Sequence, residues 1–337
     1  MRVLITGITG LIGSHLARFI VTEGQHRVFG FKRWRSNSEP LADALDAVEL
    51  VEGDITDASS VEGAVERIRP DRVYHLAAQS YPSESLGAPA VTFATNVLGT
   101  LHVLEAVRRH APTCQVHLAC SAAQYGIVGP ENIPITEDQP CRPVNPYGIS
   151  KLAQELLGKQ YHESYGLRVY VTRSFIHVGP WQDARTSVQA FARQLAAIRL
   201  GLQKPIVRVG NLFPRRDYLD VRDAVRALCL LLDRGQAGEP YNLCSGEGFS
   251  VEEILTTLID LASVSVGVEE DPRLVRAVDE PVLVGDHGKL TEKTGWQPQI
   301  PLRDSLRAVL QHWEARLAGS ARRGSTPAPA PPAERRP

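Results

Sequence analysis

Ile5-Thr6-Gly7-Ile8-Thr9-Gly10-Leu11-Ile12-Gly13-Ser14-His15-Leu16-Ala17 is the stretch that decides how this chain is read. It follows the apolar run Val3-Leu4-Ile5 and leads into an amphipathic pattern from Ile12 to Glu23, so three glycines stand between a strand and a helix. Gly7 permits a tight turn, Gly10 lets backbone come close to a pyrophosphate, and Gly13 lets the helix pack tightly against the strand. The first helical N–H groups, at Leu11 and Ile12, are unpaired and carry the positive end of the helix dipole, which favours phosphate. A plain glycine turn is the bland alternative. The strand-to-helix placement argues against it.

Outward from this motif the pattern alternates. Strands are expected at Arg2 to Thr6, Arg27 to Phe31, Val48 to Val51, Asp71 to Leu76, Gln115 to Cys120 and Arg168 to Ser174. Helices are expected at Ser59 to Arg69, Thr92 to His110 and from Tyr147 to Tyr165. Short apolar strands alternating with helices predict an α/β fold, a Rossmann-type doubly wound parallel sheet covered on both faces. Beyond Gly179 the alternation loosens into helices at Val188 to Leu200, Arg222 to Arg234 and Ser250 to Leu261, with Ile206 to Val209 extended. Ser250 followed by Glu253 has capping-box spacing. Residues 1–175, with later segments interleaved, are therefore expected to form the dinucleotide-binding domain, and 176–318 a smaller substrate-binding lobe. Residues 319–337, rich in Pro, Ala and Arg, are expected to be a disordered tail.

The chain has 337 residues and a formal net charge of -1. That near-neutral balance gives no reason to expect nucleic acid or an anionic membrane as partner. The five cysteines include no CxxC pair, which favours reduced thiols and a cytoplasmic location. No apolar run is expected to approach the roughly 18 residues of a membrane span, and no ligand-spaced His/Cys/carboxylate cluster suggests a metal.

Pro146-Tyr147-Gly148-Ile149-Ser150-Lys151 places a tyrosine and a lysine four apart, on one helical face. A nearby ammonium stabilises phenolate, so Tyr147 is expected to be unusually acidic and to exchange a proton with a carbonyl or alcohol oxygen as hydride moves. Ser121 ends an apolar strand, where its hydroxyl can polarise that oxygen. Ser121 as a hydrolase nucleophile is the competing use, but no GxSxG elbow surrounds it.

With GxxGxxG in place of GxGxxG, the sequence resembles the extended short-chain dehydrogenase/reductase family, and Ser121, Tyr147 and Lys151 match its catalytic triad. The resemblance implies that Asp54 and Ile55 contact adenine, that Leu76, Ala77, Ala78 and Gln79 flank the pyrophosphate and nicotinamide ribose, and that Asn96 is the family's structural asparagine. Lys151 would also hold that ribose. Where an NAD enzyme places a ribose-binding carboxylate, this chain reads Lys32-Arg33-Trp34-Arg35. Guanidiniums suit a 2′-phosphate, so NADP(H) is expected, held by Arg33 and Arg35, with NAD(H) as the alternative.

From Arg142 to Trp296 the segments look most like the nucleotide-sugar branch that contains GDP-mannose 4,6-dehydratases and GDP-4-dehydro-6-deoxy-mannose reductases. That resemblance implies a GDP-sugar substrate, with Arg216 on the diphosphate, Arg276 and Asp279 on the far nucleoside, and Asn211, Lys204, Gln79 and Ser121 lining the cleft. Dehydratases of this branch carry an acid two residues after the Ser/Thr; here Ala122 and Ala123 follow, then the amide Gln124. Neither alanine nor an amide transfers a proton, so hydride transfer to C4 of a GDP-4-keto-6-deoxy sugar, giving a GDP-rhamnose-type product, is the expected chemistry. A lyase or 4-epimerase that keeps its cofactor is the alternative, and a non-catalytic NADP-binding sensor a second. One departure is Ile176-His177, where relatives have Asn-His. A homodimer through Thr92 to His110 and Ser150 to Tyr165 is also implied.

Overall fold

The structure is a computed structural model in which residues 1–24, 26–275 and 281–324 are described. The strands, in chain order, are β1 (Arg2–Thr6), β2 (Arg27–Lys32), β3 (Val48–Glu52), β4 (Arg72–His75), β5 (Gln115–Ser121) and β6 (Arg168–Ser174). They continue with β7 (Ile176–Val178), β8 (Ile206–Val209), β9 (Arg215–Asp220), β10 (Pro240–Leu243), β11 (Gly248–Ser250), β12 (Gly267–Glu270) and β13 (Val282–Leu283). The helices are α1 (Leu11–Thr22), α2 (Ala58–Ile68), α3 (Pro82–Gly87), α4 (Pro89–Phe93), α5 (Gly99–His110) and α6 (Pro146–Tyr165). They end with α7 (Ser187–Arg199), α8 (Val221–Arg234), α9 (Val251–Ala262), α10 (Gly288–Thr294) and α11 (Leu302–Gly324).

Seven strands form one sheet in the order β10-β6-β5-β4-β1-β2-β3, and every pairing in it is parallel. The order in which successive strands are added reverses between β1 and β4, and a doubly wound sheet opens its ligand crevice at such a switch point, outside the strand C-termini. Gly7, after β1, and Leu76, after β4, both lie there. Apolar side chains fill both faces: Leu16, Ala17 and Ile20 of α1 meet Leu228 and Leu231 of α8 on one, and Val61, Val65, Val103 and Val107 of α2 and α5 pack on the other.

Each predicted element of the first half forms within a residue or two at each end, except the helix expected from Thr92. That helical run begins at Pro89 and passes through a π-helical turn at Ala94–Leu98. Pro89–His110 is long and apolar enough to cross a membrane by length and composition, yet Val103, Leu104, Ala106 and Val107 are spent on the sheet core. The Ser250–Glu253 capping box forms in both directions, at 3.0 and 2.6 Å; such caps contribute about 1 kcal/mol.

The second half differs more. Strand β10 joins the large sheet beside β6, while β11, β9 and β13, with β7 beside β9, make a small sheet and β12 pairs with β8. Helices α7, α9 and α11 bury Phe191, Leu195, Leu255, Leu258, Leu306 and Leu310 in a core of their own. Helix α11 continues to Gly324, so the disorder expected from Gly319 is corrected over residues 319–324. Adding Ala and Arg to an existing helix needs no new nucleus. Residues 325–337 lie outside the described residues.

Candidate active site

The glycine cradle forms by close backbone approach. Gly7 has φ +70°, and a Cβ there would lie 2.7 Å from the Ala77 nitrogen. At Gly13 a Cβ would lie 2.7 Å from Ile8 Cα and closer still to the Gly7 carbonyl. Gly10 caps α1 in extended conformation with no side-chain cap, leaving the helix N-terminus, at half-buried Leu11 and Ile12, open to an anion. Thr6 Oγ1 accepts hydrogen bonds from the Leu76 and Ala77 N–H groups, both at 3.2 Å, tying the two sides of the crevice together. Half-buried Ala78 continues that loop. A shape that only Cβ-free residues can make, facing an uncapped helix end, fits a dinucleotide pyrophosphate.

Arg33 and Arg35 both lie exposed just past β2, with the Arg35 guanidinium 4.4 Å from the Trp34 ring centre. Asp54 closes the next loop by accepting from the Thr56 N–H at 2.9 Å and hydroxyl at 2.8 Å, and these bonds hold its carboxyl below the usual range. Ile55 is buried beneath that loop. If the two guanidiniums grip a 2′-phosphate, their joint replacement by Ala should weaken NADPH roughly 10–100-fold, the equivalent of about 1.5–3 kcal/mol for hydrogen bonds to a charged group. NADH affinity should change little; nicotinamide fluorescence titration measures both, and equal losses for the two cofactors would count against the clamp.

The candidate reacting groups meet where β5 ends and α6 begins. Asn145 caps α6, accepting from Gly148 N–H at 2.8 Å, and Pro146 fixes its first turn. Tyr147 is buried there, its phenol beside the Ser121 hydroxyl. Lys151 Nζ lies 6.0 Å from the Tyr147 ring centre and donates to the Ala119 carbonyl at 2.7 Å and Gln154 Oε1 at 2.9 Å.

These positions correct one expectation. Tyr147 is not made acidic by the ammonium: burial pushes its phenol up to about 12, and the opposing influence is the neighbouring Ser121 hydroxyl. Lys151 is pushed down to about 8, because burial disfavours its charge. A phenol that stays protonated suits a proton donor in carbonyl reduction. Lys151 keeps its charge below about pH 8 and loses it above. If that charge orients the site, turnover in the reducing direction should be level up to about pH 8 and fall beyond it. A kcat profile still level well above pH 8 would show the ammonium to be dispensable.

Asn96, in the π-helical turn, ties the surrounding loops to α6. Its Oδ1 accepts from Gln79 N–H at 2.8 Å, and its Nδ2 donates to the Gln79 carbonyl at 3.0 Å and Ser150 Oγ at 2.9 Å. Ser150 donates to the Tyr147 carbonyl at 2.7 Å. Sequence reasoning misses Ser85, whose Oγ accepts from Tyr147 N–H at 3.2 Å, and His75, which bridges Thr6 and Thr100 at 2.8 and 3.1 Å. Burial pushes His75 down to about 3, so it bridges as a neutral ring. Also missed is Arg185, which sits 3.9 Å over the Tyr81 ring and pairs with Glu84. No local pattern announces these residues, whose partners named here stand 25 to 104 positions away.

The substrate candidates are less gathered. Arg216 is buried in β9, donating to the Arg215 carbonyl at 3.0 Å. Asn211 and Lys204 are exposed in loops, and Asn211 Oδ1 accepts from Phe213 N–H at 3.1 Å. Arg276 and Asp279 lie outside the described residues. His177 is buried, and burial holds it neutral, down to about 4.

Comparison with known proteins places the chain in a family. Residues 4–309 match the family model described as GDP-mannose 4,6 dehydratase. The chain is 35% identical to GDP-6-deoxy-D-mannose reductase of Pseudomonas aeruginosa over 316 residues, covering 94% of this chain and 98% of that protein. The solved structure of RMD from Pseudomonas aeruginosa complexed with NADPH superposes with a TM-score of 0.80 at 34% identity, over 94% of this chain and 98% of that one. A UDP-glucose 4-epimerase from Thermotoga maritima with UDP-glucose superposes with a TM-score of 0.86 at 27% identity, over 94% and 100%. A doubly wound parallel sheet, a glycine cradle at its switch point and a Ser-Tyr-Lys centre beside it thus stand in a chain that belongs to the GDP-mannose 4,6 dehydratase family of extended short-chain dehydrogenases/reductases.

Proposed function

We propose that this chain is an NADPH-dependent reductase of a GDP-4-keto-6-deoxy sugar. One observation carries the reading: the buried Tyr147 phenol stands beside the Ser121 hydroxyl at the end of β5 with Lys151 one turn away, and no proton-transfer group stands at positions 122 to 124. Gln124, the polar side chain in that turn, has both ends of its amide engaged by Ser121 N–H at 3.1 Å and Glu155 at 2.8 Å. Water elimination, which requires an acid and a base at the sugar, therefore has no group in this turn to perform it.

The cradle of Gly7, Gly10 and Gly13, with Arg33 and Arg35, would hold NADPH, which when bound supplies the hydride for C4 of the sugar. Ser121 polarises the keto oxygen, and Tyr147, protonated at neutral pH, delivers the proton to it. Lys151 fixes the local charge and would bind the nicotinamide ribose. We assign the substrate to the lobe built on the small sheet and α7, α9 and α11, with Arg216 toward the diphosphate and Arg276, Asp279, Asn211 and Lys204 toward the remainder. The activity named for the Pseudomonas aeruginosa relative and the free thiols at all five cysteines support a reductase working in a reducing compartment.

The test is an absorbance assay. Addition of a GDP-4-keto-6-deoxy-hexose should oxidise NADPH mole for mole. Turnover of GDP-mannose with no net cofactor consumption would instead assign a lyase. We also assign a homodimer to the paired helices, whose outer positions Val91, Leu98, Ile149 and Leu156 are exposed apolar residues. Leu156→Glu should then yield monomers in sedimentation, and a wild-type chain that is already monomeric would end this assignment.

A further inference from the structure

The turn that carries Ser121 is built into a buried ionic cluster that the chemistry above does not use. Strand β5 ends at Ser121 and passes at once into a single 3-10 turn, Ala122–Gln124. Gln124 Oε1 accepts the Ser121 N–H at 3.1 Å, while Ser121 Oγ accepts the Ala123 N–H at 3.2 Å. The second bond occupies one acceptor site of the hydroxyl oxygen and fixes its place beside Tyr147.

Gln124 has no freedom to swing. It is fully buried, and its Nε2 donates to Glu155 Oε2 at 2.8 Å. Arg173 grips that carboxylate with two hydrogen bonds, at 3.0 and 2.6 Å, and also donates to the Tyr125 hydroxyl at 3.1 Å and the Glu137 carbonyl at 2.8 Å. Tyr125 in turn donates to Asn242 Oδ1 at 2.7 Å. The Cys141 thiol lies near Gln124, and Cys120 near Glu155 and Arg173. A carboxylate on one side sets the direction of the amide dipole, N–H toward Glu155 and oxygen toward Ser121, so only one amide orientation is compatible with the charges. An ion pair this buried is weak evidence for stability, but it can specify one geometry.

We propose that Gln124 is a positioning residue for the reduction: held by the Glu155–Arg173 pair, it fixes the Ser121 backbone and thereby the direction of the Ser121 hydroxyl toward Tyr147. The inference rests on the reading of Ser121 as the group that polarises the keto oxygen. A displacement of that hydroxyl by a fraction of its hydrogen-bond length affects only the reacting geometry.

The test compares three variants in the NADPH oxidation assay with the keto-sugar nucleotide. Gln124→Met keeps the volume but loses both amide bonds. It should lower kcat roughly 10–100-fold and leave KM and the NADPH Kd within about threefold, the pattern of an interaction that acts on the transition state. Gln124→Glu provides a rescue that a purely structural role would not show. One proton shared between the introduced carboxyl and Glu155 restores both bonds, so kcat of this variant should rise toward the wild-type value as pH falls and collapse as the pair ionises at higher pH. The wild type should lack this limb. Ser121→Ala is the control. If it is impaired while Gln124→Met stays within about twofold of wild type, the positioning role is overturned and the site reading stands; if Ser121→Ala is also unimpaired, the site reading falls too. Parallel losses in kcat, KM and NADPH affinity for Gln124→Met, or a pH-independent Gln124→Glu, would reduce Gln124 to a structural residue. Should Gln124→Met fail to fold, the Gln124→Glu profile decides.

Discussion

Replacing Tyr147 with Phe is expected to cut turnover of the keto-sugar nucleotide by roughly 10²–10⁴-fold, the usual loss when a positioned acid is removed. The variant should remain folded and should still bind NADPH, because the ring fills the same buried space and the cradle lies on other elements. The cause is specific. The phenol, held protonated by burial, lies beside the Ser121 hydroxyl, where the proposed reading puts the oxygen that gains a proton. Single-turnover measurement of NADPH oxidation, with cofactor affinity determined separately, distinguishes this from loss of binding. Turnover within about tenfold of wild type would mean that another group donates the proton.

A methyl group at Gly13 should do comparable damage by a different route. In Gly13→Ala the new Cβ would lie 2.7 Å from Ile8 Cα and press on the Gly7 carbonyl, and both are backbone atoms that cannot turn aside as a side chain end can. Either α1 moves off the sheet or the Gly7 turn opens. Overpacking of this kind costs about 1–3 kcal/mol of stability, and the same displacement takes the helix N-terminus away from the pyrophosphate. The expected result is a lower unfolding midpoint in denaturant together with a loss of NADPH affinity of about tenfold or more. Exposed Gly63 in α2, whose Cβ would meet nothing within 4 Å, is the control, and Gly63→Ala should leave both properties near wild type. Unchanged NADPH binding in Gly13→Ala would show that the close helix approach is not what forms the pocket.

Elements with a strong repeat are legible without any coordinates. The parallel strands from β1 to β6 are short apolar runs, and the helices between them repeat at 3.6 residues, because each strand is covered on both faces and each helix on one. The small lobe is less legible. Strands β7, β11 and β13 have only two or three residues, too few to show any period, and β9 carries Arg216, Asp217 and Asp220 buried where apolar residues are the norm. Arg216 enters the sequence reading through resemblance alone, and nothing local shows that it is buried.

By itself the sequence determined the doubly wound fold, the glycine cradle and the pairing of Tyr147 with Lys151, since each follows from residues close together in the chain and from one helical or strand repeat. Only the tertiary structure decided how those groups are charged and held. The phenol is raised and the ammonium lowered because distant elements exclude water from both, and Ser121 is aimed by an amide whose anchoring ion pair lies on α6 and β6. Desolvation and buried hydrogen bonding depend on what packs against a group in space, which chain neighbours alone do not specify.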